Sequence, residues 1–180
     1  IGNDGDDAFQ IYNQLNVEGE YNVGGIAGTL SDGTITNAAN YGDVLAKGYT
    51  TETYFYHSVQ QSGSTETIVK ERQDVNVANA GGIAGASESG SKIENVVNSG
   101  NVTSEKADGK DYYKAGNIGG IVGRADNTTI TNAENKENTV AGAHNVGGVA
   151  GFLSGASSID GGLNNGGDIT GTGARTDNEY

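Results

Sequence analysis

Apolar residues along this chain recur at a spacing of two and are broken every few positions by Gly, Asn, Ser or Asp, with no 3.6-residue helical period. The pattern predicts short β-strands joined by tight corners. One phrase returns four times: Asn22-Val23-Gly24-Gly25-Ile26-Ala27-Gly28, Asn79-Ala80-Gly81-Gly82-Ile83-Ala84-Gly85, Asn117-Ile118-Gly119-Gly120-Ile121-Val122-Gly123 and Asn145-Val146-Gly147-Gly148-Val149-Ala150-Gly151. A repeat of 20 to 50 residues means a fold built by stacking copies.

The residues after each phrase repeat as well. An Ile (Ile35, Ile93, Ile130, Ile159) precedes an Asn (Asn40, Asn98, Asn135, Asn164) by five residues. A closing element comes next: Asp43-Val44, Asn101-Val102, Thr139-Val140 and Asp168-Ile169. Each unit thus offers three β-compatible stretches separated by residues that suit corners. The undecorated unit is 28 residues, the distance from Gly119 to Gly147. Leu15-Asn16-Val17 matches a closing element alone, and the tail after Ile169 reads as the lead into another unit, so residues 1–180 are expected to be one solenoid domain from a longer chain.

These features predict an all-β fold, a parallel β-solenoid (β-helix) of about four 28-residue coils, with coils about 4.8 Å apart. Ile26, Ile83, Ile121 and Val149 should form one buried row, and the Asn column a ladder of side-chain amides. Strict alternation cannot bury both Val23 and Ile26, which calls for a bend or bulge at Gly24-Gly25. Two insertions, Leu45–Ala78 and Thr103–Gly116, interrupt successive units at the same corner and should emerge on one edge as β-hairpins packed side by side.

Composition narrows the class. The chain has 31 Gly, no Pro, Cys, Met or Trp, and a net charge of −13. That charge argues against nucleic acid and anionic membrane surfaces, which demand a basic footprint. No apolar run of membrane-spanning length occurs, so no membrane insertion is expected.

The phrase Val-Gly-Gly-Ile-Ala-Gly followed by Gly-Thr-Ile-Thr-Asn resembles the GLUG motif, a repeat of large bacterial surface and secreted proteins. Such proteins include adhesin-like chains and immunoglobulin-A1-specific zinc metalloproteases. Asp6 to Ile11 is similar to the segment that often precedes these repeats, and the likeness runs from Phe9 to Thr172 apart from the insertions. It departs at Asp160-Gly161-Gly162, which replaces the usual Ile-x-Asn, and at Glu137-Asn138-Thr139. The resemblance implies an extracellular protein, on the bacterial surface or secreted. It implies no activity of its own, since a fold does not determine function.

Catalytic chemistry finds little support in the residues. There is no His-Glu-x-x-His, and His57 and His144 lack partners at metal-ligand spacing. Neither histidine lies near a nucleophile-elbow pattern. The column Asp43, Asn101, Asn138 and Asp168 could serve polysaccharide cleavage, but corner geometry selects the same residue types to cap local amides. Asn3-Asp4-Gly5-Asp6-Asp7 suits calcium by composition yet has no distal Glu to close the shell. Ice binding would need flat Thr columns, which Lys92 and Glu94 break. No cofactor and no metal are expected.

The insertions carry the binding candidates: Tyr49, Tyr54, Tyr56, Lys70 and Arg72 in the first, Lys110, Tyr112 and Tyr113 in the second. Together they hold five of the nine Tyr but only −1 of the net charge, leaving the acidity on the coils. Tyr with basic residues is the composition of interface hot spots, although the rings could equally lie over the solenoid flank. The sequence therefore reads as a non-catalytic structural and binding module, a stalk or adhesin contacting a host protein or glycan. The alternative is a substrate-positioning region of a zinc metallopeptidase whose catalytic domain lies elsewhere, and a polysaccharide-active β-helix stands third.

Overall fold

The computed structural model of the protein describes residues 10–61, 65–105 and 116–172, and no helix occurs among them. Strands are numbered in chain order. A partial turn comprises β1 (Ile11–Asn13) and β2 (Val17–Gly19). The first complete turn is β3 (Asn22–Gly24), β4 (Ala27–Ser31), β5 (Thr34–Asn40) and β6 (Val44–Ala46). A ribbon of β7 (Tyr49–Gln61) and β8 (Thr65–Val77) comes next. The second turn is β9 (Asn79–Gly81), β10 (Ala84–Glu88), β11 (Lys92–Asn98) and β12 (Val102–Ser104). The third is β13 (Asn117–Gly119), β14 (Val122–Asp126), β15 (Thr129–Lys136) and β16 (Thr139–Gly142). The fourth is β17 (Asn145–Gly147), β18 (Ala150–Ser154), β19 (Ser158–Asp160), β20 (Leu163–Asn165) and β21 (Asp168–Gly171).

Outside the β7–β8 ribbon, each strand pairs in parallel with its counterpart one turn away, so the chain winds as a parallel β-solenoid with four walls. Three walls were expected. The fourth arises because the Gly-Gly phrase is two strands rather than one: β3 ends at Gly24 and β4 begins at Ala27, with the bend on Gly25-Ile26. The bend resolves the alternation conflict by sending Val23 and Ile26 into different parts of the interior.

That interior has two lobes. Sheets containing β4 and β5 enclose one, built on Ile35, Ile83, Ile93, Val96, Ile121 and Ile130. Sheets containing β3 and β6 enclose the other, built on Val23, Val44, Val102, Ile118 and Val140. Between them runs a waist. Asn13, Asn40, Asn98, Asn135 and Asn164 stack there, each Nδ2 donating to the next Oδ1 at 2.8, 2.8, 2.9 and 2.7 Å. Facing them are Gly25, Gly82, Gly120 and Gly148, where a Cβ would fall 2.1–2.7 Å from the Asn Cγ. The two corners meet so closely that only hydrogen fits.

The row Ile26, Ile83, Ile121, Val149 exists, its members joined backbone to backbone by N–H donation at 3.1, 2.9 and 2.9 Å. Ile83 and Ile121 are fully buried, whereas Ile26 and Val149 are half-buried because no turn of the described chain covers them. β5, β11 and β15 each bend at a left-handed Asn: Asn37 (φ 53°), Asn95 (φ 53°) and Asn132 (φ 49°). Ile35 and Ala38, three apart, both reach the core as a result. Asn tolerates this conformation better than other non-Gly residues. In the fourth turn Gly161 (φ 68°) takes the same position, so its departure from the repeat pattern keeps the backbone shape.

Candidate functional site

The first insertion leaves the solenoid later than expected. Leu45 and Ala46 still pair with Glu18 and Gly19, and Lys47 N–H still donates to Gly19 O at 2.8 Å, before Gly48 (φ 71°) redirects the chain. In the second, Thr103 and Ser104 likewise stay in the wall. The insertions proper thus begin after Lys47 and Glu105, not at Leu45 and Thr103.

β7 and β8 pair antiparallel along their whole length, from Tyr49 opposite Val77 to Gln61 opposite Thr65. Directly opposed residues share a face of such a ribbon, and the face alternates with each residue. Tyr54 stands opposite Arg72 and Tyr56 opposite Lys70, so four candidate residues occupy adjacent positions on one face. Tyr49 falls on the other, with Phe55, Val59, Val69, Val75 and Val77. The register sets these four at neighbouring positions, along with Glu52, Asp74, Ile68 and Glu66 of the same face, which composition alone could not do. Lys110, Tyr112 and Tyr113 lie outside the described residues, as does any hairpin in the second insertion and its packing against the first.

Beside the ribbon's root lies a groove of about 430 Å³ lined by Asn16, Val17, Glu18, Asp43, Val44, Leu45, Asn101, Thr103 and Thr139. It runs along the outer face of the wall formed by β2, β6, β12 and β16. Its centre is Leu45 and Thr103, which point outward because Val44 and Val102 point in. Glu18 forms an ion pair with Lys47 at one rim. The hydrogen bond from Lys47 to Glu18 and the attraction of that carboxylate raise the Lys47 pKa above its ordinary 10.5. The sequence reading missed this groove, although outward residues between successive inward Val positions were a visible signal.

The acid and amide column runs differently from expectation. In register it is Asn16, Asp43, Asn101, Thr139 and Asp168, with Thr139 in the place assigned to Asn138. Asn138 turns inward instead, exchanging hydrogen bonds with Asn135 at 2.7 and 2.8 Å and donating to Gly100 O at 2.8 Å. The extra residue in that copy is absorbed at Glu137, which adopts φ 49°. Within the column, side chains cap the wall: Asn16 Oδ1 accepts from Asp43 N–H, Asp43 Oδ1 from Asn101 N–H, and Asn101 Oδ1 from Thr139 N–H, at 2.9–3.0 Å.

A second amide ladder escaped the sequence reading. Asn145, Asn117 and Asn79 each donate Nδ2 to the Oδ1 of the preceding member, ending on Asn22, at 2.7 Å throughout. Its donors point toward the amino-terminal end, while those of the waist ladder point toward the carboxyl-terminal end. No group of three or more His, Cys, Asp or Glu suited to a metal ion occurs among the described residues, and the Asn3–Asp7 candidate lies outside them.

Comparison with protein-family models, curated proteins and solved structures finds no match to this chain. The resemblance to the GLUG repeat rests on the four aligned phrases.

Proposed function

We propose that this chain is a non-catalytic structural and binding module of a bacterial cell-surface or secreted protein. It acts as a stiff rod whose contact face is the inserted ribbon, and its partner is a host protein or glycan. The observation that carries the reading is the register of β7 and β8, which collects Tyr54, Tyr56, Lys70 and Arg72 on one face. Tyr and Arg are the residues that concentrate binding energy at interfaces, and flat aromatic rings also stack on sugars. Stiffness comes from two uninterrupted amide ladders and continuous hydrogen-bonded walls, which transmit load without a hinge. Its placement outside the cell rests on the GLUG resemblance.

The test is binding to a glycan array and to a panel of purified host surface and serum proteins. Replacing Tyr54, Tyr56, Lys70 and Arg72 by Ser should abolish the binding found while leaving the β-sheet circular dichroism unchanged. Undiminished binding by this variant would remove the ribbon from the reading, and no binding across both panels would remove the host-contact role.

A further inference from the structure

The groove on the outward face of β2, β6, β12 and β16 lies on the flank of the solenoid rather than on either end of the stack. Two rows of side chains run along it, advancing by one rung of about 4.8 Å at a time. One row is Asn16, Asp43, Asn101 and Thr139, and the other is Glu18, Leu45 and Thr103. Ala141 comes next in the second row but is buried, so the open row stops at Thr103, and the Glu18–Lys47 ion pair stands at its other limit. At about 430 Å³ the groove has the size of a ligand site rather than of a gap between neighbouring side chains.

The polar row spends only half of its hydrogen-bonding capacity on the wall. Oδ1 of Asn16, Asp43 and Asn101 accepts the backbone N–H one rung on, which fixes the way each side chain faces. The other terminal atom of each has no partner among the described residues: an amide donor on Asn16, a carboxylate oxygen on Asp43 and an amide donor on Asn101. All three side chains are exposed. Thr139 and Thr103 add hydroxyls, which can donate or accept. Donors and acceptors thus alternate at rung spacing, with the half-buried Leu45 as an apolar surface beside them.

We propose that this groove binds a linear, uncharged glycan laid along the solenoid axis, with about one sugar to each rung. A sugar hydroxyl both donates and accepts, so one chain can satisfy amide, carboxylate and hydroxyl in turn while its C–H faces pack against Leu45. The rung step is close to the length of one pyranose unit, and the four rungs from β2 to β16 span about 14 Å. Anionic ligands are disfavoured: no Lys or Arg lines the groove, Lys47 at its rim is held by Glu18, and the chain carries a net charge of −13. A peptide strand is disfavoured as well. The backbone N–H and C=O groups of this wall are spent on its own parallel ladder, which leaves no edge in the groove for strand addition. The site is separate from the ribbon face and stands whether or not that face has a partner.

Titration of the full, isotope-labelled chain with neutral cello-, manno- and chito-oligosaccharides tests this, read by amide NMR shifts up to about 10 mM ligand. Shifts should centre on Asp43, Leu45, Asn101 and Thr103. Affinity should climb from mono- to tetrasaccharide and then level off, because four rungs are available. Leu45→Ser removes the apolar surface and Thr103→Lys fills the groove; both positions face outward, and circular dichroism checks that the variants fold. Each should weaken binding at least about tenfold. The ribbon variant with Tyr54, Tyr56, Lys70 and Arg72 replaced by Ser should bind these sugars as the wild type does. Absence of shifts with all three sugar series would overturn the proposal. So would equal binding of tetragalacturonate or of an uncharged hexapeptide, or a groove variant that binds undiminished. Loss of binding in the ribbon variant would overturn it too, by placing the sugar on the ribbon.

Discussion

The side chain of Asn98 occupies the space that a Cβ on Gly82 would need: that atom would lie 2.1 Å from Asn98 Cγ and 2.4 Å from Gly120 O. Two residues sixteen apart in sequence are thereby bound into one requirement, since the ladder can pass through the waist only where the opposite corner has no side chain. The same pairing links Gly25 to Asn40 and Gly120 to Asn135.

Gly82→Ala should therefore cost about 3 kcal/mol or more in chemical denaturation, because the neighbouring contact is backbone as well as side chain and neither can withdraw. Gly90→Ala is the control. A Cβ there meets nothing within 4 Å, and only its φ of 80° opposes the change, so the loss should be about 1 kcal/mol. Equal losses at the two sites would mean that the waist can open.

Asn98 is fully buried and gives Nδ2 hydrogens to Asn135 Oδ1 and Gly100 O, both at 2.9 Å. Asn98→Ala removes these two bonds together with those that Asn98 Oδ1 accepts from Asn40 Nδ2 and Gly100 N–H, breaks the ladder in the interior, and should cost about 3 kcal/mol. Asn145→Ala removes one bond from an exposed ladder end and should cost under about 1 kcal/mol. Midpoints of urea unfolding for the two variants make the comparison.

Asn95 holds φ 53° in the middle of β11. Asn95→Gly should change stability by less than about 0.5 kcal/mol, since Gly accepts that conformation freely. Asn95→Val should lose about 2 kcal/mol, because a β-branched side chain is strained there. If Val is tolerated as well as Gly, the bend does not depend on left-handed geometry.

The Lys47–Glu18 pair has a signed pH dependence. Folding raises the Lys47 pKa, so its contribution is fully present below the unfolded value of 10.5 and is lost as pH climbs through the higher folded value. The pair is exposed, so the effect should be small and weakened by salt. Titration of the Lys47 side chain by NMR should show an upward shift that disappears in Glu18→Gln.

The repeat phrase and the 28-residue frame were legible in the sequence because stacked turns impose the same steric demands on every copy; the insertions were visible too, but each leaves its wall later than the sequence suggested. The inward rows of Ile and Val and the waist ladder of Asn obey the same logic. Other features were hidden for identifiable reasons. Asn138 and Thr139 exchanged places because one left-handed residue, Glu137, absorbs an insertion without altering composition. The Asn22, Asn79, Asn117 and Asn145 ladder was visible as a column, but a column of letters does not say whether amides meet or point to solvent.

By itself, the sequence determined that this chain stacks parallel strands with a short, constant repeat, since no other arrangement reconciles four equal phrases with their small corner residues. Only the tertiary structure decided that each turn has four walls and two lobes. Local preference cannot foresee which opposite corners will meet, and the contact between Gly82 and Asn98 forms only when the whole turn closes.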